Sequence, residues 1–205
     1  SSAASDVYKR QHPNDMTDSL IELFGSEEKL MPYLHLPVQS GSDKILKIMN
    51  RRHNVEKYLT VLSRVRDVRP DIAISGDFIV GFPGETEDDF QKTIDLCENV
   101  QYAQAYSFKY SARPGTPAAE LEEVSEERKS ERLFRLQTLL SRHQKKFQKN
   151  MIGKRYSVLV EKKGKEMGQV IGRSPFLQPV FLQGSTDLFG KIVSVQMKSF
   201  RTNSL

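Results

Sequence analysis

Residues 71–90, DIAISGDFIVGFPGETEDDF, place a strand, a tight turn and the start of a helix end to end. Residues 71–82 are almost continuously apolar, the pattern of a strand covered on both faces in a parallel sheet. Pro83 and Gly84 stop that strand. Thr86 and Asp89 then form an approximate capping box, with Asp in place of the usual Glu, and Phe90, Ile94 and Cys97 fall on one face of the helix that follows. A strand delivered into a helix through a short turn is one βα unit.

Working outward, the unit repeats. Upstream, residues 31–39 (MPYLHLPVQ) read as a strand with Pro32 and Pro37 near its ends. Ser42 can cap a short helix through Ile45, Leu46 and Met49, and Asn54 a second through Tyr58, Leu62 and Val65. Further upstream, residues 15–24 (DMTDSLIELF) have helical spacing and are expected to stop at Gly25 as a left-handed C′ residue. Downstream, residues 103–111 (AQAYSFKYS) are a third strand, residues 113–117 (RPGTP) a loop, and Ser125 caps a long helix through Leu133, Leu136, Leu140 and Phe147. This alternation favours parallel βα units. After Gly153 the period changes to short β segments at 156–161, 168–172, 178–182 and 191–197, as in a small barrel. The expected organisation is a leader at 1–11, an α/β domain at 12–150 and an all-β domain at 151–205. The leader includes DVYKRQ at 6–11, which resembles a translated sequencing adaptor, so a non-native or disordered origin is expected for it.

Composition narrows the partners. The single cysteine, Cys97, cannot form an internal disulfide or by itself hold a zinc ion or an iron–sulfur cluster. No run approaches the roughly 20 apolar residues of a membrane span, so a cytoplasmic location with no membrane contact is the default expectation. Charge is divided unevenly: residues 151–205 hold nine basic and three acidic side chains, a net of +6, against a net of −1 for residues 1–150. That asymmetry suits a polyanion, since neutralising phosphates releases counterions, although a merely solvated surface has the same composition.

Three strand ends carry polar groups that packing does not require. Residues 39–43 (QSGSD) deliver Gln39 and Ser40 to the edge where parallel α/β sheets place ligands, though Ser42 also reads as a simple cap. Asp77 is a carboxylate inside an apolar strand, with Gly81 and Gly84 beyond it to admit a ligand near the backbone; a satisfied buried Asp is the other reading. Lys109 and Arg113 flank a rigid loop that could face substrate, RNA or only solvent.

The stretches HLPVQSGSDKILKIMNRRH (35–53), DFIVGFPGETEDDF (77–90) and FKYSARPGTPA (108–118), in this order, resemble the C-terminal half of the radical S-adenosylmethionine (SAM) domain of tRNA methylthiotransferases. GKRYSVLVEKK (153–163), GQVIGRSPFLQPV (168–180) and LFGKIVSV (188–195) resemble the TRAM domain that follows it. The resemblance implies a partial TIM-like radical SAM barrel followed by a small OB-like barrel. Its implied activity is methylthiolation of N6-(dimethylallyl)adenosine next to the tRNA anticodon, with SAM and two 4Fe–4S clusters as cofactors. A ribosomal protein or another tRNA nucleoside is the alternative substrate, and a non-catalytic RNA-binding module the alternative class. Implied SAM contacts are Gln39, Ser40, Arg51, Asp77, Ile79, Gly81, Gly84 and Glu85, with Arg51 at the SAM carboxylate and the 79–85 stretch at the adenine. Implied tRNA contacts are Lys109, Arg113, Lys154, Arg173 and Lys191. The family's CxxxCxxC motif and three further cysteines are absent from this sequence, so no metal ligand or catalytic residue is assigned within it, the cluster ligands are expected upstream, and the chain alone is expected to be an inactive monomer.

Overall fold

The computed structural model describes residues 12–112 and 114–200, so the expectation for the 1–11 leader lies outside the described residues. Residues divide into two compact units, one containing Leu34–Gln144 and the other the residues from Lys145 onward.

In the first unit the βα alternation folds as read. Strands β1 (Tyr33–His35), β2 (Ala73–Val80) and β3 (Gln104–Lys109) form a sheet in the order β1-β2-β3. β2 and β3 pair in parallel, with Asp77 opposite Tyr106 and Val80 opposite Lys109. Beyond β1 the chain stays on the sheet: the Gln39 N–H donates to the Asp77 carbonyl at 2.9 Å, and the Ile79 N–H to the Gln39 carbonyl at 2.9 Å. The helices are α1 (Asp18–Ser26), α2 (Asp43–Ile48), α3 (Val55–Val68), α4 (Glu87–Val100) and α5 (Glu126–Lys149).

Alternation along β2 sorts its side chains. Ile74, Phe78 and Val80 join a core with Leu34, Leu36, Tyr58, Phe90 and Leu136, while Asp77 and Ile79 on the opposite face are only half-buried. Thr86 makes a complete capping box with Asp89, and Asn54 accepts from the Lys57 N–H as the cap of α3. One expectation is corrected. α1 runs through Gly25 to Ser26, because that glycine serves close packing and not chain reversal: a Cβ there would stand 3.0 Å from Val68 Cβ.

In the second unit β4 (Arg155–Lys163), β5 (Gln169–Arg173), β6 (Pro179–Gln183) and β7 (Ile192–Gln196) form one antiparallel sheet in the order β6-β5-β4-β7. Val158, Val160, Val170 and Val180 are buried on its inner face. The division between units falls inside α5, ahead of the expected position after residue 150. The last turns of that helix explain why: the Phe147 ring meets Phe176 edge-on at 5.3 Å, and Tyr156 meets the same ring at 5.5 Å.

The loop after β1 is seated against α4 with no room to spare, since a Cβ on Gly41 would lie 2.4 Å from the Lys92 carbonyl oxygen and 2.6 Å from Thr93 Cα. Both obstacles are helix backbone. Gly41→Ala is expected to destabilise the first unit by about 3 kcal/mol in urea unfolding, the upper end for overpacking; a loss below about 0.5 kcal/mol, within the usual surface range, would contradict this seating.

Candidate functional site

The carboxyl ends of β1 and β2 carry the polar residues that the sequence singled out. Gln39 holds a left-handed backbone, φ 78°, which a non-glycine residue adopts at a cost and which recurs at functional sites. Its neighbours sew the loop to α4. The Gly41 N–H donates to Thr93 Oγ1 at 2.9 Å, the Ser42 N–H to Ser40 Oγ at 3.1 Å, and Ser42 Oγ to Asp89 Oδ1 at 2.7 Å. Lys44 Nζ spans the gap, donating to Asp89 Oδ2 and to the Gly84 carbonyl, each at 2.8 Å. Burial works against the Asp89 charge, but hydrogen bonds from Lys44, Thr86 and Ser42 together hold its carboxyl well below the usual range. Ser42 is therefore both a helix cap and a link between two loops, and Ser40 is wholly buried within that link.

Asp77 is different. Its side chain keeps 28% exposure, with His35 Nε2 at 3.5 Å, and His35 is in turn oriented by Ser75 Oγ at 3.0 Å from Nδ1. Arg51 is half-buried; burial lowers the pKa of its guanidinium and the negative charge of Asp77 pushes it back up, so the two residues share one electrostatic neighbourhood. A carboxylate and an imidazole thus meet at the sheet end beside the strained Gln39, and Arg51 feels the charge of that carboxylate. Sequence reading passed over His35, whose partners are 40 and 42 positions away and leave no local signal.

The turn after β2 is held from within. Gly81 and Gly84 have φ of 69° and 80°, and the Glu85 N–H closes the turn on the Phe82 carbonyl at 2.9 Å. Glu85 Oε2 accepts from the Gly81 N–H at 2.7 Å and from Arg132 Nη1 at 2.8 Å. Arg132 and Glu85 side chains are 3% and 1% exposed, so this carboxylate faces protein, not solvent. Burial raises the Glu85 carboxyl, while the Gly81 N–H and Arg132 offset part of that rise. A Cβ on Gly81 would strike Lys129 Cγ at 2.4 Å, so α5 packs directly on the turn. The role of Arg132 was invisible in the sequence because its partner stands 47 residues away. A cavity of about 1100 Å³ flanks this turn, lined by Pro83, Gly84, Glu85, Leu121, Arg128 and Arg132 among others; it does not reach Asp77.

The basic candidates are dispersed. Lys109 ends β3 and pairs with Glu126, and Arg113 lies outside the described residues. In the second unit Lys154 and Lys191 are exposed, with no ion pair among the described residues, and stand at opposite ends of the β4–β7 pair. Arg173 is exposed but tied to Glu161 at 3.2 Å and to the Leu177 carbonyl at 3.1 Å. It shares the outer face of the sheet with Leu159, Phe181 and Ile192, all exposed. Tyr156 and Phe176 turn inward, leaving Phe181 and Phe189 as the exposed aromatics.

Cys97 does not fit a metal. It is fully buried on α4, and burial pushes its thiol pKa far up. Among the described residues no three His, Cys, Asp or Glu side chains converge as ligands, and no helix is long and apolar enough to cross a membrane.

Comparison with known proteins adds independent findings. Residues 10–97 match the radical SAM superfamily, and residues 149–205 match the TRAM domain. Over 199 residues the chain is 56% identical to the tRNA-2-methylthio-N(6)-dimethylallyladenosine synthase of Jannaschia sp. (strain CCS1), covering 97% of this chain and 43% of that protein. It therefore spans less than half the length of this relative. In fold it is similar to coproporphyrinogen III oxidase from Escherichia coli, a radical SAM enzyme, with a TM-score of 0.55 at 14% identity over 87% of this chain and 46% of the other. The chain belongs to the family of the Jannaschia synthase, the tRNA methylthiotransferases, and carries a radical SAM superfamily region followed by a TRAM domain.

Proposed function

We propose that this chain supplies part of the SAM site and the RNA-binding domain of an enzyme that methylthiolates N6-(dimethylallyl)adenosine next to the tRNA anticodon. The observation that carries this reading is the 56% identity, maintained over 199 residues, to a protein named for that reaction. On this reading the three-stranded parallel sheet is a portion of a TIM-like barrel, the antiparallel sheet is an OB-like barrel, and the protein is a cytoplasmic monomer. A ribosomal-protein substrate is not favoured by any observation.

The residues at the sheet end suit SAM by their chemistry. Asp77 offers a partly exposed carboxylate to ribose hydroxyls, and Arg51 a guanidinium to the amino-acid carboxylate. Gln39 and Ser40 present backbone at the strand end, while Ile79 and Gly84 give the adenine an apolar, open part of the turn; Gly81 is covered by Lys129 and shapes the turn from beneath. Glu85 serves by fixing that turn through Gly81 rather than by touching ligand. SAM and its reducing cluster supply the radical chemistry that sulfur insertion at an unactivated C–H requires. The cluster does not fit this chain, whose one cysteine is core; on this reading two 4Fe–4S clusters would be held by cysteines outside it, and the chain alone would be inactive.

Two outcomes test the assignment. In a chimera joining this chain to the N-terminal portion of the Jannaschia relative, Asp77→Asn is expected to weaken SAM binding by about 1–3 kcal/mol with the melting temperature kept, since shape is retained and a charge-assisted hydrogen bond is lost. Calorimetry checks it, and unchanged affinity would make Asp77 structural. For tRNA, residues 151–205 are expected to supply much of the affinity without reading sequence, so log K should fall with log salt at about −0.7 per phosphate neutralised, roughly −3 for four contacts. Lys191→Ala should weaken cognate and non-cognate tRNA alike and make the slope shallower by nearly one unit. Arg173→Ala should cost at least as much, because it also uncovers Glu161. Filter binding across a salt series decides, and a loss confined to cognate tRNA would move specificity into this domain.

A further inference from the structure

A second basic feature lies in the first unit, outside the residues assigned above. α2 ends at Ile48, Asn50 reverses the chain with a φ of 58°, and α3 starts at Val55 under the Asn54 cap. The reversal gathers Lys47, Arg51, Arg52 and Lys57 around an open cleft of about 330 Å³, with His53 in its wall. We propose that this cleft is a phosphate site, formed by Lys47, Arg52, Lys57 and His53, that holds a backbone phosphate of the RNA substrate.

Charge density is the first argument. Residues 1–150 have a net charge of −1, yet four cations line this one cleft against a single acid, Asp43, whose Oδ1 already accepts the Val55 N–H at 2.8 Å. Mutual repulsion of that kind is tolerated where an anion is present to relieve it. The second argument is His53. Its side chain is buried, its ring stands edge-on to His12 at 5.1 Å, and neither ring nitrogen makes a hydrogen bond of ordinary geometry, although the Val38 carbonyl lies near enough to act on its proton. A buried nitrogen without a proper partner is costly unless a ligand supplies one. Burial, then the neighbouring His12, lowers His53 to about 4, so it meets the ligand as a neutral ring able to donate one N–H. His12 is likewise lowered, by burial and then by Arg51; Asp15 opposes this, and Arg52 and Lys57 add to the lowering, while Asp43 opposes it at His53.

The ligand class follows from the shape. Lys47, Arg52 and Lys57 are exposed, so they form a rim that a polymer can cross and not an enclosed chamber for a free nucleotide. Arg51, the fourth cation, also feels the charge of Asp77 and is counted with the site already described. A phosphate held here would give the RNA a point of attachment on the radical SAM region in addition to the TRAM domain.

This inference rests on the RNA reading above, and its test separates the two. The 205-residue chain and its Lys47→Gln/Arg52→Gln/Lys57→Gln variant are titrated with a tRNA anticodon-arm hairpin over a salt series, with melting curves to confirm folding. The expected result is binding by the wild type, about tenfold weaker binding by the variant, and a salt slope shallower by one to two units. Wild-type binding with an unchanged affinity or slope in the variant would overturn the phosphate site and leave the RNA reading standing. No wild-type binding would overturn both. The single variant Arg52→Gln, on the exposed rim, covers the case of a misfolded triple variant and should show about one third of the slope change. Inorganic phosphate adds a further arm: the ring resonances of His12 and His53 should move, and the hairpin should displace the ion. Phosphate binding at these rings that the hairpin does not compete for would reassign the cleft to a small anion and refute the RNA contact.

Discussion

The Glu85 carboxylate, buried between the Gly81 amide and the Arg132 guanidinium, is the contact on which the rest of the first unit is arranged. Removing one partner of a buried ion pair leaves an uncompensated charge and costs several kcal/mol; Glu85 Oε1 and Arg132 Nε make no hydrogen bond, so the pair rests on its remaining contacts. Here the guanidinium also donates to the Glu85 carbonyl at 3.1 Å and lies over the Phe90 ring at 5.6 Å. What the pair secures is a turn. With Gly81 fixed, β2 ends where Asp77 and Ile79 face the open side of the sheet, and Thr86 is delivered as the cap of α4. Asp89, locked into that cap, then anchors Ser42 and Lys44, and through them the loop that carries Gln39. One long-range ion pair thus sets the relative placement of residues from two separate strand ends.

Much of this was legible in order along the chain, because βα units declare themselves locally. The apolar run before Pro83, the Thr86–Asp89 box, and the caps at Ser42 and Asn54 all rest on contacts within a few residues, and each stands where the pattern put it. The period change after Gly153 located four strands to within about two residues of their observed limits. What periodicity could not carry was contact at a distance. Gly25 reads as a helix stop but is a spacer against Val68, which is 43 residues on. Arg132 and Lys129 lie on a helix rich in charged residues, and they are buried because the turn after β2 comes to meet them.

The candidate site divides in the same way. Asp77 and the glycines after it stood out by being polar or flexible within an apolar run, and the structure brings them to one end of the sheet with Gln39. Glu85 was implied by the family resemblance, yet its carboxylate is turned to the protein, because sequence distinguishes a polar residue beside a ligand from one beneath it only if the partner is near in the chain. The basic residues of the second unit were legible as a count but not as a surface. Arg173 is neutralised by Glu161, whereas Lys154 and Lys191 stand free of ion pairs among the described residues. Net charge therefore marks that unit as the more basic one without saying which cations stand open to an anion.

The dependence on the Glu85 clamp can be measured at a single amide. Hydrogen exchange at the Gly81 N–H, which is bonded to Glu85, reports whether the turn stays closed. With Arg132→Met the account predicts exchange roughly 100-fold faster, equivalent to ~3 kcal/mol of lost protection, while amides of the second unit such as Val160 keep their wild-type rates. Wild-type protection at Gly81 in that variant would mean that the turn holds itself and that the buried ion pair is incidental to the site.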